Sequence, residues 1–334
     1  MPNPTQSDLH INAPLTNLSV AYMQKADTYV ASKVFPRVPV QKQSDLYWKY
    51  SKSDWRRTDV EKRAPGTESP GVGWKVDTGQ YFCHVYAVHK DIDDQVRANA
   101  DSVWSLDRDS TQFVTNQLLL KRDLDWAQRY FVPGVWARET TGVATNPAAD
   151  QFLRWSDPAS DPITQMAEEH IRFVEQTGFK PNKLVLGAQV LKSLKNHPDL
   201  IDRIKYTQKG IVSTDLIATL FDVEQVLVSY ASFTDVAEQA DGRAQDNAAE
   251  GNYRFIADDS SALLCYAPSG PSLQTPSAGY TFTWNGYMGG NAQGIRIKRF
   301  RMEHIASDRV EGEMTYDMNV VSPDMGVFLS SVVA

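Results

Sequence analysis

The chain has 334 residues, 42% of them hydrophobic and 22% charged, which is ordinary for a folded soluble protein and enough for two or three core-bearing units. Its net charge of -7 has the wrong sign for a protein that coats nucleic acid by bulk charge. Two widely separated cysteines, Cys83 and Cys265, supply neither a disulfide framework nor a zinc site, no stretch approaches the roughly 20 apolar residues of a membrane span, and the first 20 residues lack the basic start and apolar core of a signal peptide.

Residues 1–31 are rich in Asn, Ser and Thr, and Asn12-Ala13-Pro14-Leu15-Thr16-Asn17 predicts an extended or turn-rich arm, with room for a short helix over 18–30. Phe35-Pro36 and Val38-Pro39 then force extended backbone before each proline. The most informative stretch is 34–90. It opens with Val34-Phe35-Pro36-Arg37-Val38-Pro39-Val40, passes through Asp45-Leu46-Tyr47-Trp48-Lys49-Tyr50, and turns polar and basic over 51–70. It returns through Tyr81-Phe82-Cys83-His84-Val85-Tyr86-Ala87-Val88. Two strand-like segments thus flank a charged, turn-rich tip, Ala64-Pro65-Gly66-Thr67-Glu68-Ser69-Pro70-Gly71. A long arm cannot bury its tip against its own domain, so a neighbouring subunit is the natural second surface. Between Lys42 and Lys75 eight Lys/Arg face five Asp/Glu, a balance of +3 that leaves -10 on the rest. A basic arm on an acidic body suits attraction between subunits; a solvated loop of mixed charge explains the same composition.

Residues 101–130 predict a helix about 40 Å long at 1.5 Å per residue, with Phe113, Leu120, Leu124, Ala127 and Phe131 on one face. Pro133-Gly134 stops it, and 132–155 reads as strand and loop. Asp161-Pro162 opens a second unit as N-cap and first helical residue. Its helix carries an apolar stripe of Ile163, Met166, Ala167, His170, Ile171 and Val174 and stops at Gly178. Short apolar strands at 183–186 and 225–228 alternate with helices at 188–195, 198–206 and 214–221, the pattern of a mixed core with helices on its faces. Residues 234–252 form a loop, strands follow at 253–257, 262–266 and 280–284, and Asn285-Gly286 predicts a hairpin turn. Three strand-like pieces, 295–304, 313–321 and 325–333, close the chain.

This order resembles the major capsid proteins of tailed double-stranded DNA phages, with the Hong Kong-type capsid fold. The resemblance rests on the proline-rich entry Val34 to Val40, the basic hairpin arm, Tyr86-Ala87-Val88-His89-Lys90-Asp91-Ile92, and the helix with Leu118-Leu119-Leu120-Lys121-Arg122-Asp123-Leu124-Asp125. It continues through Lys180-Pro181-Asn182-Lys183-Leu184-Val185-Leu186-Gly187 to the terminal strands. It covers nearly the whole chain and lies in order and lengths, without an invariant signature. It implies an α+β fold: an N-terminal arm over 1–41, an extended loop (E-loop) over 42–82, a peripheral domain with a spine helix over 83–160, an axial domain with a central mixed sheet flanked by helices over 161–294, and C-terminal strands over 295–334 returning to the peripheral domain and packing on the axial domain. It further implies hexamers and pentamers tiling an icosahedral shell, E-loops lying over neighbours, and an axial loop, 199–209 or 234–252, facing the capsomer centre. The expected partners are copies of the chain itself, a separate scaffold protein and portal, a decoration protein, and packaged DNA in weak, non-specific contact, with no membrane. The expected site is the virion capsid, assembled in host cytoplasm.

The candidate intersubunit contacts are Phe35, Tyr47, Trp48, Tyr50, Trp55, Arg56, Arg57, Lys62, Arg63 and Trp74, because large aromatics and arginines anchor interfaces. Arg296, Lys298, Arg299 and Arg301 form a basic row on one terminal strand, suited to DNA phosphates on an inner surface or, as the preferred reading, to intersubunit salt bridges with the acidic body or a solvated face. One relative of this fold joins an E-loop lysine to an asparagine; Lys62 and Lys75 with Asn285, Asn291 or Asn319 offer the residue types, but any basic loop supplies such lysines. Cys83, His84 and His89 are too few for a metal site and read as core or interface residues. His170 and His197 have no nucleophile motif beside them, and Asp258-Asp259 reads as a strand-end turn. Neither a catalytic residue nor a cofactor is expected. The rivals are an encapsulin-like nanocompartment shell and a soluble enzyme with a dispersed site, the latter requiring a cavity that gathers two or more of His170, His197, Asp258 and Asp259.

Overall fold

The computed structural model describes residues 24–25, 28–100, 105–204, 212–234, 253–271, 275–288 and 294–334. Residues 1–23 of the N-terminal arm, with much of its expected helix over 18–30, lie outside them, as do 205–211, 235–252 and Asn291. The described chain begins with helix α1 (Ala31–Val34), whose entrance is held from far away. Asp123 Oδ1 accepts hydrogen bonds from the backbone N–H of Val30 and Ala31, at 2.9 and 2.7 Å. Strand β1 (Arg37–Val40) follows; it tolerates Pro39, which has no N–H to donate, because it is an edge strand.

Strands β2 (Ser44–Tyr50) and β3 (Val76–Phe82) pair antiparallel, Ser44 opposite Phe82 and Tyr50 opposite Val76, with helix α2 (Lys52–Arg56) between them. This is the predicted arm. Past Cys83 the chain continues as β4 (His84–Asp93), helix α3 (Asp94–Asn99) and the long helix α4 (Leu106–Tyr130). Then come β5 (Arg138–Val143), β6 (Gln151–Leu153) and α5 (Pro162–Thr177). The predicted signals act here: Asp161 accepts from Thr164 N–H at 2.9 Å, and Gly178 takes the left-handed conformation (φ 77°) that ends the helix. Next are β7 (Lys183–Leu186), α6 (Ala188–Lys195), α7 (Pro198–Ile204), α8 (Thr214–Leu220, capped by Ser213), β8 (Gln225–Val228) and β9 (Ser232–Thr234). The chain ends with β10 (Tyr253–Phe255), β11 (Ala262–Cys265), β12 (Gly279–Trp284), helix α9 (Asn285–Met288), β13 (Ile295–Met302), β14 (Ser307–Val320) and β15 (Gly326–Ser330).

Two sheets organise these elements. A six-stranded mixed sheet has the order β6-β5-β15-β11-β7-β8. A five-stranded sheet has the order β1-β12-β14-β13, with β4 also paired to β14. The 14-residue β14 is its backbone: β13 and β4 both pair along it, and β12 takes over at its C-terminal end. Helix α4 lies on β14, and Gly312 makes this possible, since a β-carbon there would sit 2.3 Å from Val114. The buried bidentate pair Arg138–Glu169 (2.7 and 2.9 Å) ties β5 to α5.

The structure corrects several sequence expectations. Asn285-Gly286 does not make a hairpin; it opens α9, because β12 is followed on β14 by β13 and the chain must cross between the two pairings. The buried face of α4 is Val114, Leu118, Trp126 and Ala127, while Phe113 is 49% exposed. On α5 the buried row is Ile163, Met166, His170 and Phe173, and Ile171 is 69% exposed. In both helices a second apolar row competed, and tertiary packing chose. Strands β5 and β6, expected with the spine helix, join the sheet of β7 and β11 through β15, which pairs Val327 to Arg138 and Leu263 to Phe328.

Candidate functional site

The arm is anchored at its root and bare at its end. Strand alternation sends Tyr47 inward, where its ring stacks 5.2 Å from Phe282, and Trp48 outward, where it is 69% exposed. Tyr81 stacks on the same anchor, 4.7 Å from Phe282, and buried Cys83 completes the cluster with Tyr280. Beyond the paired strands, every residue from 55 to 78 is exposed. Within that stretch Trp55 meets Trp74 at 6.2 Å and Tyr50 at 5.9 Å, an aromatic cluster that remains open to solvent. Arg57 pairs with Asp59, Arg63 donates to Thr67 O within the tip, and Lys62 lies exposed beside them. An exposed aromatic cluster of this size on a stable strand pair is what a docking surface requires.

Two of the expected contact residues are engaged within their own chain. Phe35 is fully buried and packs edge-on against Trp126 and Trp136 and tilted against Tyr130, so it is a core residue between the arm entry and α4. Arg56 donates to the carbonyls of Glu175 (2.7 Å) and Gln176 (2.5 Å), at the negative end of α5. Lys52 adds a 2.7 Å ion pair to Asp324. These contacts frame a 330 Å³ cleft between α2 and the body, lined by Tyr50, Trp55, Phe179, Pro276 and Met325. Sequence reading missed this cleft, because Phe179 and Met325 come to Trp55 only through the fold.

The basic row of β13 is likewise committed. Glu313 stands opposite Arg296 and accepts from Arg296 (3.0 and 2.5 Å) and Lys298 (2.7 Å). Burial pushes its carboxyl up, but the two cations outweigh burial and hold it below the ordinary range. Arg299 pairs with Asp107 at 2.5 Å, and Arg301 forks onto Asp94. The partners expected on other subunits are therefore carboxylates of the same chain.

The remaining chemistry is inert. Burial pushes the Cys83 and Cys265 thiols up to about 12. Among the described residues no group of His, Cys, Asp and Glu could hold a metal ion, and no helix is long and apolar enough to cross a membrane. His197 Nδ1 accepts the N–H of Asp199, and Ser160 Oγ, 3.0 Å from Nε2, gives its own proton to the Asp157 carbonyl. The cavity beside His197 contains none of His170, Asp258 and Asp259, and Asp258 caps its own turn through Ser260 and Ser261. Neither Lys62 nor Lys75 touches Asn285 or Asn319, whose amide donates to Asp317.

No family model matches the chain. Among solved structures it is similar to a phage-related protein from Bordetella bronchiseptica (TM-score 0.67, 20% identity, 91% of this chain and 92% of that one). It is also similar to the capsid of cyanophage P-SCSP1u (TM-score 0.59, 11% identity, 97% and 94%). The Synechococcus elongatus SrpI encapsulin shares the fold (TM-score 0.54, 10% identity, 97% and 94%). Sequence separates these alternatives. The chain is 26% identical over 332 residues to the major capsid protein of Pseudomonas phage JBD67, covering 97% of both, and 27% identical over 230 residues to that of Burkholderia phage BcepMu, covering 69% of this chain and 72% of the relative. The chain is thus similar over most of its length to tailed-phage major capsid proteins, and it has the Hong Kong-type capsid fold. On that fold the arm corresponds to the E-loop and α4 to the spine helix.

Proposed function

We propose that this capsid protein tiles an icosahedral shell of hexamers and pentamers around the double-stranded DNA of a tailed phage, each E-loop lying over a neighbouring subunit. The observation that carries this reading is the bare E-loop. Beyond the α2 cleft, residues 57–78 are exposed throughout, yet they include Val60, Val72 and Trp74, at 62 to 89% exposure. Trp48, Tyr50, Trp55 and Trp74 supply the apolar contact, and Arg57, Lys62 and Arg63 bring positive charge to an acidic neighbour. Tyr47 serves differently: it fixes the root so that the loop leaves the body in one direction.

The division of labour follows the domain map, an arm over 1–41, the E-loop over 42–82, a spine-helix unit over 83–160, an axial unit over 161–294 and closing strands over 295–334, with β5 and β6 of the spine-helix unit and β15 of the closing strands built into the axial sheet. A separate scaffold protein and a portal direct assembly in the host cytoplasm, and a decoration protein finds its footing on the finished virion. Contact of the β13 row with packaged DNA is weak, since every cation of that row already meets a carboxylate. The protein's role is architectural and does not include catalysis. The test is electron microscopy of particles from the native source, with an assay for nuclease-protected DNA. Shells holding DNA support the reading. Shells holding a protein cargo support the encapsulin reading, and a compact monomer sinks both.

A further inference from the structure

The root of the E-loop holds a groove of about 630 Å³ between the β2–β3 pair and β14. Its apolar walls are open, with Leu46 60% and Phe82 49% exposed. Two of its lining side chains are carboxylates, Asp45 and Asp317, and none is a cation. Asp45 is paired with Lys42 at 3.0 Å. Asp317 uses only Oδ2, which accepts from the Phe82 N–H and the Asn319 amide, both at 2.9 Å. Its Oδ1 has no hydrogen bond to any described residue and is not shut away from solvent. The exposed Gln80 side chain is likewise unpartnered among the described residues. The groove thus sets free acceptors beside open apolar surface, a setting that suits a long cationic side chain with apolar neighbours.

The matching chemistry lies at the other end of the same loop. Between Arg57 and Gly66 three cations face two carboxylates, and the pairing of Arg57 with Asp59 leaves Glu61 against Lys62 and Arg63. Lys62 is exposed, and neither a hydrogen bond nor an ion pair joins it to a described residue. Arg63 commits its Nε to the Thr67 carbonyl and leaves both terminal nitrogens free. Val60 beside them is 89% exposed. The tip therefore complements the groove in charge and in apolar character. The paired strands hold it away from the groove of its own chain: the ladder from Ser44–Phe82 to Tyr50–Val76 spans roughly 20 Å, at about 3.4 Å per residue.

We propose that the groove receives the E-loop tip of a second copy, with Lys62 and Arg63 on Asp45, Asp317 and Gln80, and Val60 against Leu46 and Phe82. Each chain then carries both halves of the contact, at opposite ends of one loop. A contact between different patches of identical chains is heterologous and can close into a ring. The cleft at α2, the other apolar hollow beside the loop, is less suited, because its charged groups Lys52, Arg56 and Asp324 already have partners in their own chain. The inference rests on the proposed overlap of E-loops between neighbours and names where the overlapping tip lands.

The test is assembly of the full-length protein, read by sedimentation, with charge reversal at the tip and its rescue. K62E/R63E alters exposed residues only, so the unassembled chain should melt with the wild type while shell yield falls about tenfold. D45K in the same chain should restore much of that yield, since the reversed tip then meets a cation. In wild-type shells of mixed isotope labelling, a carbodiimide should couple Lys62 of one chain to Asp45 or Asp317 of another, and mass spectrometry reads the linked peptides. Wild-type yield from K62E/R63E, or shells whose carbodiimide links omit both carboxylates, would overturn the proposal while leaving the overlap of E-loops standing. Wild-type protein that forms no shells would overturn both.

Discussion

The ring of Phe35 lies across the α-carbon of Gly279, so that a β-carbon at Gly279 would come within 2.5 Å of it. This contact decides how the arm entry reaches the body: Phe35 is pressed between β12 and the Trp126, Tyr130 and Trp136 rings, and the E-loop starts from there. Three aromatic neighbours hem the ring on the side away from Gly279. G279A should destabilise the subunit by about 1–3 kcal/mol through overpacking, and F35A by about 3–5 kcal/mol through cavity formation. Thermal unfolding of the unassembled chain reads both; a G279A protein melting with the wild type would refute the packing account.

W74A and W55A remove exposed rings, so the isolated subunit should melt within about 0.5 kcal/mol of the wild type. Shell yield should nevertheless fall sharply, by sedimentation and by particle counts. Normal shells from the double variant would show that the cluster is not an intersubunit anchor.

Asp123 gives a pH signature of definite sign. Burial, the largest influence, raises its carboxyl from 3.8 to about 6 against the pull of the Ala31 and Val30 N–H groups. Between those values the folded chain holds a proton that the unfolded chain has lost. This group's contribution therefore favours folding at low pH and turns against it as pH rises toward 6. The proton has a natural seat on Oδ2, which has no partner, leaving Oδ1 to accept from both amides. D123N keeps an acceptor at Oδ1 and removes the charge. Its stability relative to wild type should improve from pH 4 to pH 7; a constant difference across that range would rule the account out.

Arg138 is the principal partner of an almost wholly buried Glu169, which is 3% exposed. R138A should cost about 3 kcal/mol, since it leaves that buried carboxylate with only the half-exposed Arg172 as a charged partner. The double replacement R138M/E169L should recover most of the loss. If R138A melts with the wild type, the pair does not hold β5 to α5.

Much of this architecture was legible in the chain. The E-loop showed itself through Pro, Gly and charge between two aromatic-rich segments, and Asp161, Gly178 and Ser213 marked helix ends by chemistry that acts within a few residues. What stayed hidden depends on partners remote in sequence. Phe35 looks like an anchor for a neighbour until Trp126 and Trp136 are seen around it. The β13 row looks like a free basic surface until the register sets Glu313 opposite Arg296. Arg56 looks like a tip residue until α5 presents its carbonyl end. Local composition states that a side chain needs a partner, and only the fold names it.

The pairing of β4 with β14 carries a mechanical consequence. The E-loop continues through β3 and Cys83 into β4, and ten residues of β4 lie antiparallel to β14. A pull transmitted from the loop along β4 would load that ladder in shear, so its hydrogen bonds share the force and must fail together. Under internal pressure the subunit would behave as a riveted lap joint, with the tensile load passing from each loop into the strand that also carries β12, β13 and the spine helix.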